Sequence, residues 1–561
     1  MKQFQKYGVA AAVASLAGGA VATTEVSKHE IGDLAIVPYY TVNNGFNTGV
    51  HIINTSDVTQ VVKFRLRRGA DSKDALDFNI VMSPRDEWTG NITAGGDNGV
   101  IVETNDTTCT VPEFPAGGAP MAATYAEGAT EGYIEIIAMA SADMKQPISK
   151  AAKHVKGVPA DCDSVRANFF RVTAAQAASA AAIGVKGVHN SSTTSNGALS
   201  AGAVTAAVEN ISSYADSVNP LKVSFMITDS EGGLEFGDNA VMVEDFSGAA
   251  MMTNQQALSF GTDGLLNFDA LNFELPNLNQ GALTETGGRT LASASLYDGL
   301  RSALDADKII NEWASIETDA ATVATDWVVT LPGQYVMTNP VCGIYENYTE
   351  ATAGGCTSTA VALADKNELP LTLASNASGD PAGSGSKMLL WDREETALNG
   401  KESAATGELS FSPGGSSGDP AVTATLKREV NVISFNGTSV LGTAAAQQAT
   451  AGDLGLGVTV TVEGADRGWA QLEIAPTAGA AIFNMTGVDG ANVMPNAAAG
   501  GNAATLNGSY TPVAIGERTA VIGMAVWERQ FSGQAGNYGR AIEHTTLTSS
   551  GTLVGNFTQR S

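Results

Sequence analysis

The stretch Val50–Met82, VHIINTSDVTQVVKFRLRRGADSKDALDFNIVM, decides the fold, because apolar and polar residues alternate along it in three successive runs. The clearest run alternates three apolar residues with three basic ones, namely Val62, Phe64 and Leu66 with Lys63, Arg65 and Arg67. A period of two directs one set of side chains into a core and the other into water, as in an antiparallel sheet with one solvated face. The stretch therefore predicts a meander of three antiparallel strands.

Similar short runs recur along the rest of the chain. They are Tyr133–Met139, Leu221–Ile227, Trp327–Leu331, Glu429–Ile433, Val458–Val462, Trp469–Ile474 and Val521–Trp527. Many short strands separated by Gly, Asn, Ser and Pro are typical of antiparallel sandwiches rather than of a parallel α/β sheet. We therefore predict a mainly β fold built from one or more antiparallel β-sandwich domains.

Two regions depart from this strand pattern. The alanine-rich runs 173–183 and 204–216 lack proline, and their composition predicts a small helical insertion. The segment Leu296–Trp313 places Leu300 and Leu304 on one helical stripe, which predicts one further helix there.

Residues 1–22 have the three parts of a cleavable secretory signal peptide. Lys2 and Lys6 precede a short apolar run, and the small residues Ala20–Ala22 precede Thr23. We therefore expect an exported protein at the cell surface or in the medium, with the periplasm left open. The run is too short for a good membrane anchor, and no second apolar span follows, so we expect no transmembrane segment in the mature chain.

These patterns divide the chain into a leader and four regions. They are a signal peptide at 1–22, a β-rich region at 23–145, the alanine-rich helical insertion at 146–220, a β-rich region at 221–400 that contains the helix 296–313, and a β-rich region at 401–561.

The charge balance limits the classes of partner. The chain has 31 Lys and Arg against 58 Asp and Glu, a formal net charge of −27. Such a field repels nucleic acid, so we expect no nucleic-acid partner. With 43% hydrophobic residues the chain can bury a core, and we expect self-association or binding to cell-envelope components.

Five segments carry a resemblance to a known group of proteins. They are Val37–Ser56 (VPYYTVNNGFNTGVHIINTS), Phe64–Trp88 (FRLRRGADSKDALDFNIVMSPRDEW), Ile309–Trp313 (IINEW), Ala324–Pro332 (ATDWVVTLP) and Pro512–Glu528 (PVAIGERTAVIGMAVWE). They resemble segments of uncharacterised exported proteins of Gram-negative bacteria that are described as cell-surface or surface-layer-like. The resemblance implies a β-rich surface protein and no catalytic residue.

The four cysteines are even in number and belong to a chain with a predicted signal peptide, so disulfides are the expected state. Proximity in the sequence favours the pairs Cys109–Cys162 and Cys342–Cys356 among three possible connectivities.

Calcium is the one cofactor that the sequence suggests. Oxygen-rich loops offer carboxylates of the kind that calcium binds, and the candidates are Asp229, Glu231, Asp238, Asp263 and Asp269. None of these loops matches an EF-hand. The preference of Asp for turns explains the same residues without calcium.

Catalytic motifs give little support to an enzyme. The segment Gly414–Gly418 matches the GxSxG pattern with Ser416 as the nucleophile, but no helical pattern follows it. We therefore predict a non-enzymatic structural protein of the cell surface that assembles into a layer or filament. The alternatives are an adhesin or carbohydrate-binding protein that uses exposed tryptophans and, less favoured, a secreted hydrolase with a carboxylate pair.

Overall fold

A computed structural model describes a large part of the chain. The described residues are 24–70, 72, 74–121, 126–172, 188–190, 214–229, 232–251, 276–283, 289–292, 296–337, 387–394, 398–401, 426, 428–444, 455–474, 481–486, 509–514, 518–533 and 537–548. Strands make up 53% of the structure and helices 9%, which confirms the predicted mainly β class with antiparallel sheets.

The strands and helices have the following bounds. The strands are β1 (Glu25–Val26), β2 (Leu34–Thr41), β3 (Phe46–Asn54), β4 (Thr59–Arg68), β5 (Asp74–Met82), β6 (Glu87–Ala94), β7 (Val100–Glu103), β8 (Cys109–Val111), β9 (Ala119–Pro120), β10 (Glu131–Ala142), β11 (His154–Val155), β12 (Val158–Pro159), β13 (Phe170–Val172), β14 (Val188–Asn190), β15 (Leu221–Asp229), β16 (Leu234–Asn239), β17 (Val241–Glu244), β18 (Gln280–Leu283), β19 (Arg289–Ala292), β20 (Lys308–Glu317), β21 (Ala321–Thr330), β22 (Lys387–Trp391), β23 (Asn399–Lys401), β24 (Val430–Phe435), β25 (Gly457–Glu463), β26 (Arg467–Glu473), β27 (Ala481–Thr486), β28 (Ser509–Ala514), β29 (Ile522–Phe531), β30 (Tyr538–Glu543) and β31 (Thr545–Leu547). The α-helices are α1 (Pro147–Ala152), α2 (Cys162–Arg166) and α3 (Leu296–Ala303), and single 3₁₀ turns lie at Asn43–Gly45, Gly96–Asn98 and Gln334–Met337.

Two sheets form an N-terminal sandwich. The first sheet has the strand order β1-β17-β2-β10-β4-β5-β8, and the second has the order β16-β15-β3-β6-β7-β9. Aromatic rings fill the space between them: the Phe64 and Phe78 rings stack with centroids 4.8 Å apart, and Trp88 from the second sheet lies 5.6 Å and 5.8 Å from them. Burial of these large apolar surfaces provides the main free energy that holds the two sheets together.

A third sheet joins the central and C-terminal parts of the chain. Its main path is β22-β26-β20-β21-β24-β25-β23, with β29 and β30 added beside β21 and β31 beside β20. Strands β21 and β29 are buried on both faces. Val328 and Met524 belong to the core of the sandwich, whereas Trp327 and Ala525 belong to a second core within the third sheet. This double burial covers Ala324–Thr330 of β21 and Ile522–Trp527 of β29, whereas the last three residues of β29 are exposed.

The three predicted strands are present, but they do not form one meander, because β3 belongs to the second sheet while β4 and β5 pair in the first. The predicted solvent exposure is only partly confirmed. On β3, Val50 and Ile52 are buried while His51 between them is partly exposed. On β4 the expectation of a water-facing side is wrong, because every residue of the strand is buried, including Lys63, Arg65 and Arg67. Segments distant in the sequence cover that face of the first sheet. The alternation of apolar and basic residues along β4 therefore corresponds to two buried faces, one apolar and one polar.

The predicted helix over 296–313 is too long. Helix α3 ends at Ala303, and the continuation Ile309–Trp313 belongs to β20, where it pairs with β26. Burial alternates from Lys308 to Trp313 along β20, with Ile309, Asn311 and Trp313 buried, so the strand period replaces the helical one. The alanine-rich run 173–183 and residues 204–213 lie outside the described residues, and Tyr214–Asp216 are not helical.

Strand pairing crosses the predicted region boundaries. Strand β15, which begins at Leu221, pairs along its whole length with β3, so residues 221–244 complete the N-terminal sandwich. Strand β24 pairs with β21, which places the predicted central and C-terminal regions in one sheet. The predicted signal peptide at 1–22 lies outside the described residues. Within them, no helix has the length and apolar character needed to cross a membrane.

One of the two expected disulfides is present. Cys109 on β8 is bonded to Cys162, the first residue of α2, across 53 positions of sequence. The bond ties the edge strand of the first sheet to the helices that follow β10. Cys342 and Cys356 lie outside the described residues, so their pairing stays a prediction.

We expect the double substitution Cys109→Ser/Cys162→Ser to lower the free energy of unfolding by about 2–5 kcal/mol, because the unfolded chain gains freedom when the cross-link is lost. Urea unfolding followed by tryptophan fluorescence measures the loss. Non-reducing peptide mapping of the parent protein is the control that confirms the bond, and an unchanged unfolding midpoint in the double variant would contradict the prediction.

Candidate functional site

The most concentrated polar chemistry of the described chain is buried on the outer face of the first sheet. We call it the buried ionic cluster, and its ionisable members are Lys63, Arg65, Arg67, Asp77, Glu135 and Glu429. Strands β4, β5 and β10 position five of them, because alternate residues of neighbouring strands in register point to the same face. Glu429 comes from the residue before β24 and brings the C-terminal part of the chain into the cluster.

Ion pairs and an aromatic contact hold the basic side chains in place. Nζ of Lys63 lies 2.7 Å from Oδ1 of Asp77, and Nε of Arg67 lies 3.2 Å from Oε2 of Glu135. The Arg67 guanidinium lies 3.9 Å from the centroid of the Tyr335 ring, and this cation–π contact links β4 to the turn after β21. The Arg67 and Glu135 side chains are 1% and 0% exposed, so the pair is isolated from water.

Glu429 is the centre of the hydrogen bonds between the two parts of the chain. Its Oε1 accepts from the Tyr133 hydroxyl at 2.8 Å and from the backbone N–H of Gly333 at 2.7 Å, and its Oε2 accepts from Ser72. The same Tyr133 hydroxyl lies 3.0 Å from Oε1 of Glu135. Burial raises the pKa of Glu429 to about 8, and the negative charge of Glu135 raises it further, so this carboxyl holds a proton at neutral pH.

This arrangement favours a structural role for the cluster. Its carboxyls, guanidinium groups and phenols bond to one another and to backbone groups, and all of these residues are buried except Asp77 and Tyr335, which are partly buried. A catalytic site needs a concave opening at which a substrate can meet such groups. The cluster instead joins residues far apart in the sequence, and it locks the C-terminal part of the chain onto the first sheet.

The predicted calcium ligands are not brought together as far as the structure describes them. Oδ1 of Asp229 accepts from the backbone N–H of Gly232 at 2.9 Å, and Oδ1 of Asp238 accepts from that of Asn239 at 2.8 Å. Both are local contacts between residues at most three positions apart. Glu231, Asp263 and Asp269 lie outside the described residues, and among those described no three His, Cys, Asp or Glu side chains cluster as metal ligands. Calcium binding stays a prediction.

Two other sequence hypotheses meet the structure in different ways. Ser416 of the GxSxG match lies outside the described residues. Four of the six tryptophans are buried in the cores, as expected for packing residues: Trp88, Trp313, Trp327 and Trp527. The remaining two, Trp391 and Trp469, are half-buried and stack against each other with centroids 4.0 Å apart.

One exposed aromatic surface stands out at the end of the β29–β30 hairpin. The Phe531 and Tyr538 rings form an edge-on pair with centroids 6.0 Å apart, and they are 44% and 61% exposed. Together with Ala320, Arg529 and Ser532 they line a shallow groove, which we call the hairpin patch. Aromatic side chains are enriched at protein interfaces relative to the rest of the surface, and exposed apolar patches mark interaction sites.

Sequence reasoning missed both features for identifiable reasons. The basic residues of β4 have the pattern of a solvated strand, and their partners Glu429 and Tyr335 lie more than two hundred residues away. One signal was available. Lys63, Arg65 and Arg67 lie within five positions of one another, and this is a high local concentration for a chain that has only 31 Lys and Arg. The hairpin patch had no comparable signal, because single exposed aromatics look like core residues in a sequence.

Comparisons of the chain with protein-family models, with curated proteins and with solved structures find no match.

The substitution Arg67→Ala is expected to destabilise the protein by about 3–5 kcal/mol, because it leaves Glu135 buried without its ionic partner. The matched control is Arg85→Ala, which removes an ion pair to Asp57 whose side chains are 61% and 85% exposed. That change should cost about 0–1 kcal/mol. Urea unfolding of both variants measures the difference, and equal losses would argue against the structural role of the cluster.

Proposed function

We propose that the protein is an exported, non-enzymatic structural component of the cell surface that assembles through contacts between its own copies. The observation that carries this proposal is the hairpin patch, where Phe531 and Tyr538 expose large apolar rings beside Arg529. Protein interfaces are enriched in this combination of aromatic and arginine side chains.

The charge of the chain favours a second copy as the partner. The patch carries Arg529, and the exposed Arg540 lies on the same hairpin, whereas the whole chain has a net charge of −27. Most of the surface of a neighbouring copy is therefore complementary to the patch in charge. A contact between two different surfaces of identical subunits repeats head to tail, and it produces rings, layers or filaments.

The internal structure fits a component that bears load. The buried ionic cluster and the double burial of β21 and β29 join the N-terminal sandwich and the third sheet over a wide area. Extensive burial of this kind makes one cooperative unit of parts that would otherwise move independently.

A carbohydrate-binding function is the second candidate, and the Trp391–Trp469 pair is the observation that favours it. Both rings lie on neighbouring strands of the third sheet and are partly exposed. Their mutual stacking occupies one face of each ring, so less aromatic surface is open to a sugar than a flat platform would offer.

The double substitution Phe531→Ser/Tyr538→Ser is expected to abolish assembly, because it removes the apolar surface that the contact buries. Sedimentation velocity over a range of protein concentrations and negative-stain imaging measure the assembled fraction. The unsubstituted protein should form particles larger than a monomer, and the variant should remain monomeric with an unchanged unfolding midpoint.

The matched control is Val155→Ser/Val158→Ser, which removes two apolar side chains, 53% and 52% exposed, from the β11–β12 hairpin. This control should assemble like the parent. A parent that stays monomeric at all concentrations, or a patch variant that assembles normally, would contradict the proposal. The same assay in calcium and in a chelator tests whether divalent cations screen the repulsion between acidic copies.

A further inference from the structure

A short segment crosses between the two parts of the chain and is held by a carboxyl group near each end. We call residues 436–444 the strap. It leaves the third sheet after β24 and buries Val440 and Leu441 in the core of the sandwich. At the last residue of the strap, the carbonyl of Ala444 accepts a hydrogen bond from the N–H of Gly457 at the start of β25.

Asp326 of β21 holds the first end of the strap. Its Oδ2 accepts from the Ser439 hydroxyl and from the backbone N–H of Leu441, both at 2.8 Å. Oδ1 of the same carboxyl is buried and has no hydrogen-bond partner among the described residues. A buried carboxylate with one oxygen left without a donor is poorly solvated, so burial here disfavours the charged form more than the neutral one.

Asn44 fixes the middle of the strap. Its amide donates to the carbonyls of Leu441 and Gly442 at 2.8 Å and 3.0 Å. Gly442 has a φ of +61°, and a Cβ at that position would lie 2.6 Å from Nδ2 of Asn44. Only glycine combines this backbone conformation with so close an approach, so the contact depends on the local fold of the strap.

Glu131 of β10 holds the second end. Its Oε2 accepts from the Tyr39 hydroxyl at 2.8 Å and from the Thr443 hydroxyl at 3.4 Å. Like Asp326, Glu131 forms no ion pair with any residue that the structure describes. Two titratable groups interact with these carboxyls. The Tyr39 hydroxyl of β2 donates to Glu131, and the negative charge of Glu528 on β29 acts on Asp326.

We propose that the strap is a pH-dependent latch, which holds the third sheet on the N-terminal sandwich while Glu131 and Asp326 are protonated and loosens when both ionise. Ionisation would place two negative charges in a buried region without a basic partner, and water entering between the layers is the way to solvate them.

The direction of the pH dependence follows from burial. Desolvation raises the pKa of Asp326 to about 7 from an ordinary value of 3.8, and that of Glu131 to about 7 from 4.5. An acid whose pKa is raised in the folded state stabilises that state at low pH, and the contribution is lost as the pH rises toward 7. The strap is therefore closed at pH 5.5 and loosened at pH 8.5.

Hydrogen–deuterium exchange of the full-length protein tests the latch. Protection factors, corrected for the intrinsic effect of pH on exchange, should fall about tenfold or more for the strap amides, including those of Leu441 and Gly442, between pH 5.5 and 8.5. Amides of β3 in the centre of the sandwich should keep their protection. Unchanged strap protection, or an equal fall in β3, would overturn the proposal.

Two variants separate the latch from a general loss of stability. Burial raises the pKa of Glu429 to about 8, so this carboxyl titrates in the same range, and the comparison is made in a Glu429→Gln background. In that background Asp326→Asn/Glu131→Gln fixes both groups in a neutral form, so its strap protection should change less than twofold between the two pH values. The matched control is Asp33→Asn, which neutralises a buried carboxyl that accepts from the N–H groups of Phe246 and Ser247 and has its pKa raised to about 7 by burial. The control should keep the pH-dependent strap. A fall in the double variant as large as in the parent would refute the latch.

Discussion

The ion pair between Arg67 and Glu135, sealed by the Tyr335 ring, is the interaction on which the architecture depends. The pair occupies the face of the first sheet that would otherwise meet water. Tyr335, which contacts both Arg67 and Glu135, belongs to a distant part of the chain. A buried charge without a counter-charge costs several kcal/mol, so the outer layer can close only in the one arrangement that completes the cluster. Apolar packing supplies the free energy of the fold, and the cluster restricts which packing is allowed.

The strand pattern was a good guide to local structure because the pleat imposes a period of two wherever one face is buried. All seven runs predicted from the sequence overlap strands of the structure. Pro84, which has no backbone N–H to donate to a sheet, comes just after β5 ends. The same pattern cannot say what covers the second face of a sheet. That information resides in contacts such as Tyr133 with Glu429, which join residues 296 positions apart.

The helix prediction shows where a single pattern becomes ambiguous. Leu300 lies on the buried side of α3 and Leu304 directly follows the helix, whereas pairing with β26 decides the conformation of Ile309. Tertiary pairing overrides a local pattern most easily near the end of an element, where few helical hydrogen bonds are lost. For the candidate site, sequence reasoning identified the disulfide Cys109–Cys162. It could not identify an exposed aromatic pair, because exposure is a property of the assembled surface.

The pairing of β15 and β17 with strands near the start of the chain sets the order in which the protein can mature. During synthesis, strands β2 and β3 exist long before residues 221–244 emerge to pair with them, and the face closed by β29 waits for residues beyond 520. A long interval with unpaired strand edges and uncovered apolar surface invites mispairing with other chains. The time between the first strands and the last ones therefore becomes part of the folding chemistry of the chain.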